Sequence, residues 1–224
     1  MSLNIELARR NMVEQQVRPW DVLDARVLEA LGTIRREDFV PAACRNLAFA
    51  DLQLPLGHGE VMMKPVLEGR VLQAVAPAKT ESVLEIGTGS GFLTACLARL
   101  AAEVVSLEQH ADMVDAARTR LAGAGIRNAY VKHADAVWAK APNAFVPRSP
   151  FDVMLVTGAV AALPPRWREW IKPGGRLFAI VGDSPAQRAV VYTRGADGSF
   201  SLEPLFETDL PYLSHAAPAA QFTL

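Results

Sequence analysis

Ser82-Val83-Leu84-Glu85-Ile86-Gly87-Thr88-Gly89-Ser90-Gly91-Phe92 is the stretch whose reading decides the fold. Residues 82–86 form a short, mostly apolar run of the kind that makes a buried strand. Three glycines then fall within five residues, and an apolar helical pattern follows from Ser90 to about Leu100. A turn this bare is needed where backbone must pass close to a ligand and leaves no room for side chains. The unpaired N–H groups at the start of the following helix favour an electron-rich or anionic ligand group.

Downstream of the turn, residues 104–107, 129–132, 152–156 and 175–181 read as further strands. Helices are expected from His110 to Gly123 and, more briefly, from Pro164 to Ile171. Strands alternating with helices predict βαβ units and a buried parallel sheet. Residues 189–193 and 200–205 flank Gly195-Ala196-Asp197-Gly198 and predict a closing β-hairpin. The expected fold class is therefore α/β and Rossmann-like, with a mostly parallel sheet, a C-terminal antiparallel hairpin and a helical N-terminal extension.

Upstream, a first helix is predicted with Leu7, Asn11, Glu14 and Arg18 on one face, ended by Pro19. Asp21 or Asp24 is expected to cap a second helix carrying Val27, Leu28 and Leu31. Residues 41–65 read as irregular, broken by Pro55, Gly57 and Gly59, and a helix follows from Pro65 to Ala76. The chain is expected to form one domain over 1–224, in which 1–76 is a helical and substrate-loop extension of a core at 77–224.

Composition narrows the function. The 224 residues are 50% hydrophobic and carry 23 basic and 24 acidic side chains, a net charge of −1. That balance gives no electrostatic footprint for nucleic acid or an anionic membrane, so neither is an expected partner. No stretch approaches the roughly 20 apolar residues of a membrane span. The N-terminal sequence lacks the apolar run of a secretory signal. Cys44 and Cys96 are expected to be reduced, buried thiols, and no Cys/His spacing suggests a metal. These readings predict a cytoplasmic protein.

Two acids extend the ligand site beyond the turn. Glu108 stands at the end of the second core strand, where a carboxylate can accept from ribose hydroxyls. Asp135 follows the third strand on the same sheet edge and can accept from an adenine amino group, although a helix cap is the alternative. Competing uses of the turn are disfavoured. Phe92 stands where a GxGxxG dinucleotide turn needs glycine, and Thr88 and Phe92 exclude a GxSxG nucleophile elbow around Ser90. There is no GxxxxGK[ST] phosphate loop. The predicted cofactor is S-adenosylmethionine (SAM), with S-adenosyl-L-homocysteine as its product.

Residues 83–92 closely resemble the SAM motif of the protein-L-isoaspartate (D-aspartate) O-methyltransferase family. Arg36-Glu37-Asp38-Phe39-Val40-Pro41 is similar to the family's N-terminal Arg-x-x-Phe-Val-Pro element, and residues 51–59 resemble its substrate-side loop. Residues 152–157 and 172–177 resemble its later strands. The resemblance runs from about residue 10 to 182. It implies a methyltransferase that acts on isoaspartyl residues of damaged proteins or peptides. It further implies that Glu85, Gly87, Gly89, Glu108 and Asp135 hold SAM. The remaining turn residues Ile86, Thr88, Ser90 and Gly91, with Gln109, Ala136 and His58, complete the expected cofactor set. A loop at 54–65 would close over the methyl donor and receive the peptide.

The sequence departs from the family at that loop. Where the family carries Thr-Ile-Ser, this chain has Val61, Met62 and Met63, which lack both hydroxyls. Thioether sulfur cannot donate a hydrogen bond, so Lys64 is the loop's candidate for meeting a carboxylate. Val61, Met62, Met63 and Lys64 are the candidate acceptor-side residues. The change leaves open a different methyl acceptor or a SAM-binding protein without catalysis. The tail departs too: it ends Gln221-Phe222-Thr223-Leu224 instead of near an Arg-Phe-Val-Pro segment. His110 and His133 read as structural or solvated, and Trp138, Trp167 and Trp170 as core or rim aromatics.

Overall fold

The computed structural model describes residues 4–219, so the tail Gln221-Phe222-Thr223-Leu224 lies outside the described residues. Seven strands form one sheet: β3 (Ser82–Ile86), β4 (Glu103–Glu108), β5 (Ala129–His133), β6 (Phe151–Val160), β7 (Ile171–Val181), β8 (Gln187–Arg194) and β9 (Phe200–Thr208). Their order is β5-β4-β3-β6-β7-β8-β9. The first five pair in parallel, and β8 and β9 add an antiparallel hairpin at the edge. The chain thus builds outward from β3 to β5 and then returns to the other side of β3. That reversal opens a crevice at the carboxyl ends of β3 and β6, where open α/β sheets bind ligands.

Strand alternation divides the core into two layers. Val83, Leu155 and Phe178 pack on one face of the sheet. Leu84, Met154 and Leu177 pack on the other, with the buried Trp167 and Trp170. Successive side chains on a strand point to opposite faces, so a strand covered on both sides reads as a continuous apolar run. The first layer is covered by α4 (Phe92–Leu100), α5 (Ala111–Gly123) and α3 (Pro65–Val75), together with α2 (Ala25–Thr33). Pro65 opens α3 at a position where a missing N–H has no consequence. Asp24, and not Asp21, caps α2 by accepting from Arg26 N–H.

Three expectations need correction. The first helix is only Ile5–Asn11 (α1) and passes into a π-helical segment, Met12–Val17. The wider turn moves the inward face onto Met12, Val13 and Val17, and Leu7 is exposed. Residues 41–65 are not wholly irregular. Leu54–Gly57 (β1) and Glu60–Met62 (β2) pair as a small hairpin, with Gly57, His58 and Gly59 at positive φ in its turn. Cys96 is buried but Cys44 is only half-buried, and both are free thiols. Among the described residues no helix is long and apolar enough to cross a membrane.

Candidate functional site

Four carboxyl-end segments converge on one cleft of about 780 Å³, part of it open to solvent. The turn after β3 supplies Ile86, Gly87, Thr88, Gly89 and Ser90. The end of β4 supplies Glu108 and Gln109, and the end of β5 supplies Asp135 and Ala136. β6 contributes Thr157 and Gly158. The hairpin β1–β2 closes one side with Leu56, Glu60, Val61 and Met62, and Met63 follows it.

The turn has the geometry its sequence demands. Gly87, Gly89 and Gly91 all have positive φ, a region that strains other residues. A Cβ at Gly87 would lie 2.2 Å from Thr157 Oγ1, which instead donates to the carbonyls of Ile86 and Gly87. A Cβ at Gly89 would press on Leu56 of the hairpin at 3.1 Å. Gly87→Ala is therefore expected to lose about 1–3 kcal/mol of stability. A thermal melt should show the lower melting temperature, and titration with S-adenosyl-L-homocysteine should show weaker binding.

Glu108 is 6% exposed on the cleft wall. Its Oε2 accepts from Gly89 N–H at 2.9 Å, and its Oε1 from the N–H groups of Gln109 and His110 at 2.8 and 3.0 Å. The carboxylate is thus held rigidly beside the turn. Asp135 accepts from Val137 and Trp138 N–H through Oδ1, and Oδ2 meets His215 Nδ1 at 3.0 Å. The sequence alternatives of helix cap and cleft carboxylate are therefore combined in one residue, since Asp135 also lines the cleft.

Other predicted residues lie elsewhere. Glu85 does not line the cleft: it is fully buried, and its Oε2 accepts from Thr94 and Ser106 hydroxyls at 2.5 and 2.6 Å. Ser106 in turn meets Thr88 Oγ1 at 2.5 Å, so Glu85 braces the turn from below. Burial pushes its carboxyl up to about 7. Gly91 lies against Ala117 of α5, outside the cleft wall. Lys64 sits at the N-cap of α3 and is not part of the wall either. His58 stands on the rim, where its ring stacks on His110 at 4.1 Å and its Nε2 meets Asp112 at 3.0 Å. His133 meets the Gln109 carbonyl, and Trp138 lies exposed beside His215.

Several wall residues were not singled out from sequence. Thr157 and Gly158 follow directly from the rule that ligands gather at strand carboxyl ends. Leu213 and Ser214 do not, because they arrive on a segment beyond the terminal hairpin. That segment is anchored by Leu213 N–H to Ala159 O at 2.9 Å. Glu68, in the first turn of α3, also reaches the wall.

The acidic wall residues are Glu60, Glu68, Glu108 and Asp135, with no lysine or arginine among the described residues. An acidic wall suits a ligand that carries a sulfonium cation, and a bare turn with two held carboxylates suits an adenosyl group. Fold and site together define a Rossmann-like SAM-dependent methyltransferase. The model of the protein-L-isoaspartate (D-aspartate) O-methyltransferase family matches residues 8–212. The chain belongs to that family.

Curated relatives agree. A protein-L-isoaspartate O-methyltransferase of Brucella anthropi is 34% identical over 90% of this chain and 91% of its own length. One from Anaeromyxobacter dehalogenans is 37% identical over 88% of this chain and 93% of its own. Solved structures share the fold. A Plasmodium falciparum protein in complex with S-adenosyl-L-homocysteine superposes with a TM-score of 0.77 at 17% identity, covering 92% of this chain and 98% of that one. A protein-L-isoaspartate O-methyltransferase does so with 0.76 at 24% identity, over 92% of this chain and 66% of that one.

Proposed function

We propose that this methyltransferase acts on the carboxylate of isoaspartyl residues in damaged proteins or peptides, working in the cytoplasm. The observation that carries the reading is the placement of residues 61–63 on the wall of the same cleft as the glycine turn and Glu108. An acceptor held at that loop meets the methyl donor without crossing solvent. The two free cysteines agree with a reducing compartment.

In this reading Glu108 grips the ribose, and Asp135 faces the adenine with the acceptor capacity left by His215 and the two N–H groups. The turn lets the cofactor lie against the sheet edge. SAM, when bound, supplies a methyl group already activated on a sulfonium. The chain's own task is then modest. A carboxylate is ionised at neutral pH and needs no general base. Leu56, Met62, Met63 and Leu213 keep water from the reacting atoms, and the rigid turn and loop set donor and acceptor in line.

The test is transfer of a tritiated methyl group from SAM to a short isoaspartyl peptide, with the aspartyl peptide as control. Incorporation specific to the isoaspartyl form is expected. A protein that binds SAM yet labels neither peptide above a no-enzyme blank would overturn the reading.

A further inference from the structure

The acceptor side of the cleft has a chemical gap. Val61, Met62 and Met63 bring no side-chain donor to it, and neither lysine nor arginine lines the cleft among the described residues. A substrate carboxylate placed there needs a hydrogen-bond donor, because an unpaired buried charge is strongly disfavoured. Glu68 lies on the same wall and has no part in the reading so far. It is 2% exposed. Its Oε2 accepts from Arg36, and Oε1 meets no protein donor among the described residues. Arg36 also donates to the carbonyl of Met63 at 2.7 Å, so the loop and Glu68 are tied to one guanidinium.

We propose that Glu68 binds the substrate's carboxylate as a neutral carboxylic acid, donating from Oε1 the hydrogen bond that the loop does not supply. The proposal rests on the isoaspartyl reading above. A protonated carboxyl has one O–H to give, and donation to a carboxylate makes a short, charge-assisted bond. The proton stays on Glu68, and the acceptor's other oxygen remains free to take the methyl group. Two carboxyl groups that share a site hold one proton between them, so substrate binding itself favours the neutral form.

The surroundings of Glu68 favour the same state. Burial pushes its carboxyl up to about 7, against the opposing pull of Arg36, and Asp51 adds a further upward push. Glu85 on β3 and Cys96 on α4 are the other titratable groups around it. Neither adds a positive charge. Lys64, at the N-cap of the same helix, lies off the cleft wall.

The experiment is the pH dependence of KM for the isoaspartyl peptide between pH 6 and 8.5, at saturating SAM. In the wild type KM is expected to rise roughly tenfold from pH 6 to 8, as an acid titrating near 7 loses its proton. The substrate carboxyl itself is fully ionised throughout this range. Glu68→Gln carries an amide donor at every pH and should flatten the profile. Glu68→Ala should raise KM at pH 6 roughly tenfold, by the loss of one hydrogen bond to a charged group. Glu68→Gln, which changes no other group, assigns the slope to Glu68.

A second arm uses the folded wild type alone. The same peptide with the isoaspartyl carboxylate replaced by a carboxamide should inhibit with a Ki that does not vary with pH. A flat wild-type KM, a slope retained in Glu68→Gln, or a carboxamide Ki that follows the peptide's KM would each overturn the proposal. Absence of transfer at every pH, with SAM bound, would instead overturn the isoaspartyl reading and this inference with it.

Discussion

Glu108→Ala is expected to weaken binding of S-adenosyl-L-homocysteine by roughly 10- to 150-fold. That range corresponds to the loss of one hydrogen bond to a charged group, about 1.5–3 kcal/mol. The carboxylate is 6% exposed and is held by three backbone N–H groups from Gly89, Gln109 and His110. A group fixed in this way loses little entropy when it accepts from a ligand hydroxyl. The same three bonds mean that the alanine variant also loosens the turn. Glu108→Gln helps to separate the two effects: it keeps the side chain's size but replaces one accepting oxygen with a donor. It should bind with intermediate affinity, and its melting temperature should fall less than that of the alanine variant. Isothermal titration of the purified variants decides the matter. A dissociation constant for Glu108→Ala within twofold of wild type would remove Glu108 from the cofactor site.

The largest loss of stability is expected for Arg36→Ala. Arg36 is fully buried and holds three partners at once: the carbonyls of Ala48 and Met63 at 2.8 and 2.7 Å, and the carboxylate of Glu68. Its guanidinium also lies 4.8 Å from the centre of the Phe92 ring. Removing Arg36 leaves three buried acceptors without their donor, and leaves an uncompensated charge wherever Glu68 is ionised, so the expected loss is about 3–5 kcal/mol. For a chain of this size each kcal/mol lowers the melting temperature by roughly 2–4 °C. Arg36→Lys should recover only part of the loss, because a single ammonium cannot copy the planar fork that reaches three acceptors.

The loss has a predictable pH dependence. Burial raises the Glu68 carboxyl from its ordinary 4.5 to about 7 even with Arg36 beside it, and without Arg36 it rises further. An acid whose pKa is raised on folding stabilises the native state most below its unfolded pKa. That contribution is lost as pH rises through the folded value. Arg36→Ala should therefore lose more of its stability at pH 8.5 than at pH 6. Melting curves at the two pH values check this, and equal losses would show that removing Arg36 does not alter the ionisation of Glu68 between them.

Much of the fold was legible because its signals are local. A strand that must be buried on both faces is an apolar run, and a turn that must adopt positive φ is glycine. Residues 82–92 therefore declared themselves, as did the helix begun by Pro65 and the one expected after Asp21 or Asp24. The resemblance over residues 10–182 drew on the same local stretches. The small hairpin at 54–62 was hidden by its shortness, with Pro55 in one strand and only three residues in the other. The first helix misled because a π-helical segment changes which side chains face inward, and spacing alone does not reveal such a change.

What the sequence by itself determined was the parallel sheet, the bare turn at 87–91 and the pair of acids after the second and third core strands. These follow from backbone sterics and from side-chain period, which act over a few residues. Only the tertiary structure decided which acid does what. Glu85 and Glu108 both flank the turn, yet packing of α4 and β4 seals the first beneath it and leaves the second on the cleft. Only the folded chain could bring Leu213 and Ser214 back over Gly158, or turn Glu68 of α3 toward the loop at 61–63. Those contacts join residues far apart in sequence, and their geometry depends on how whole elements pack, for which no short stretch carries a signature.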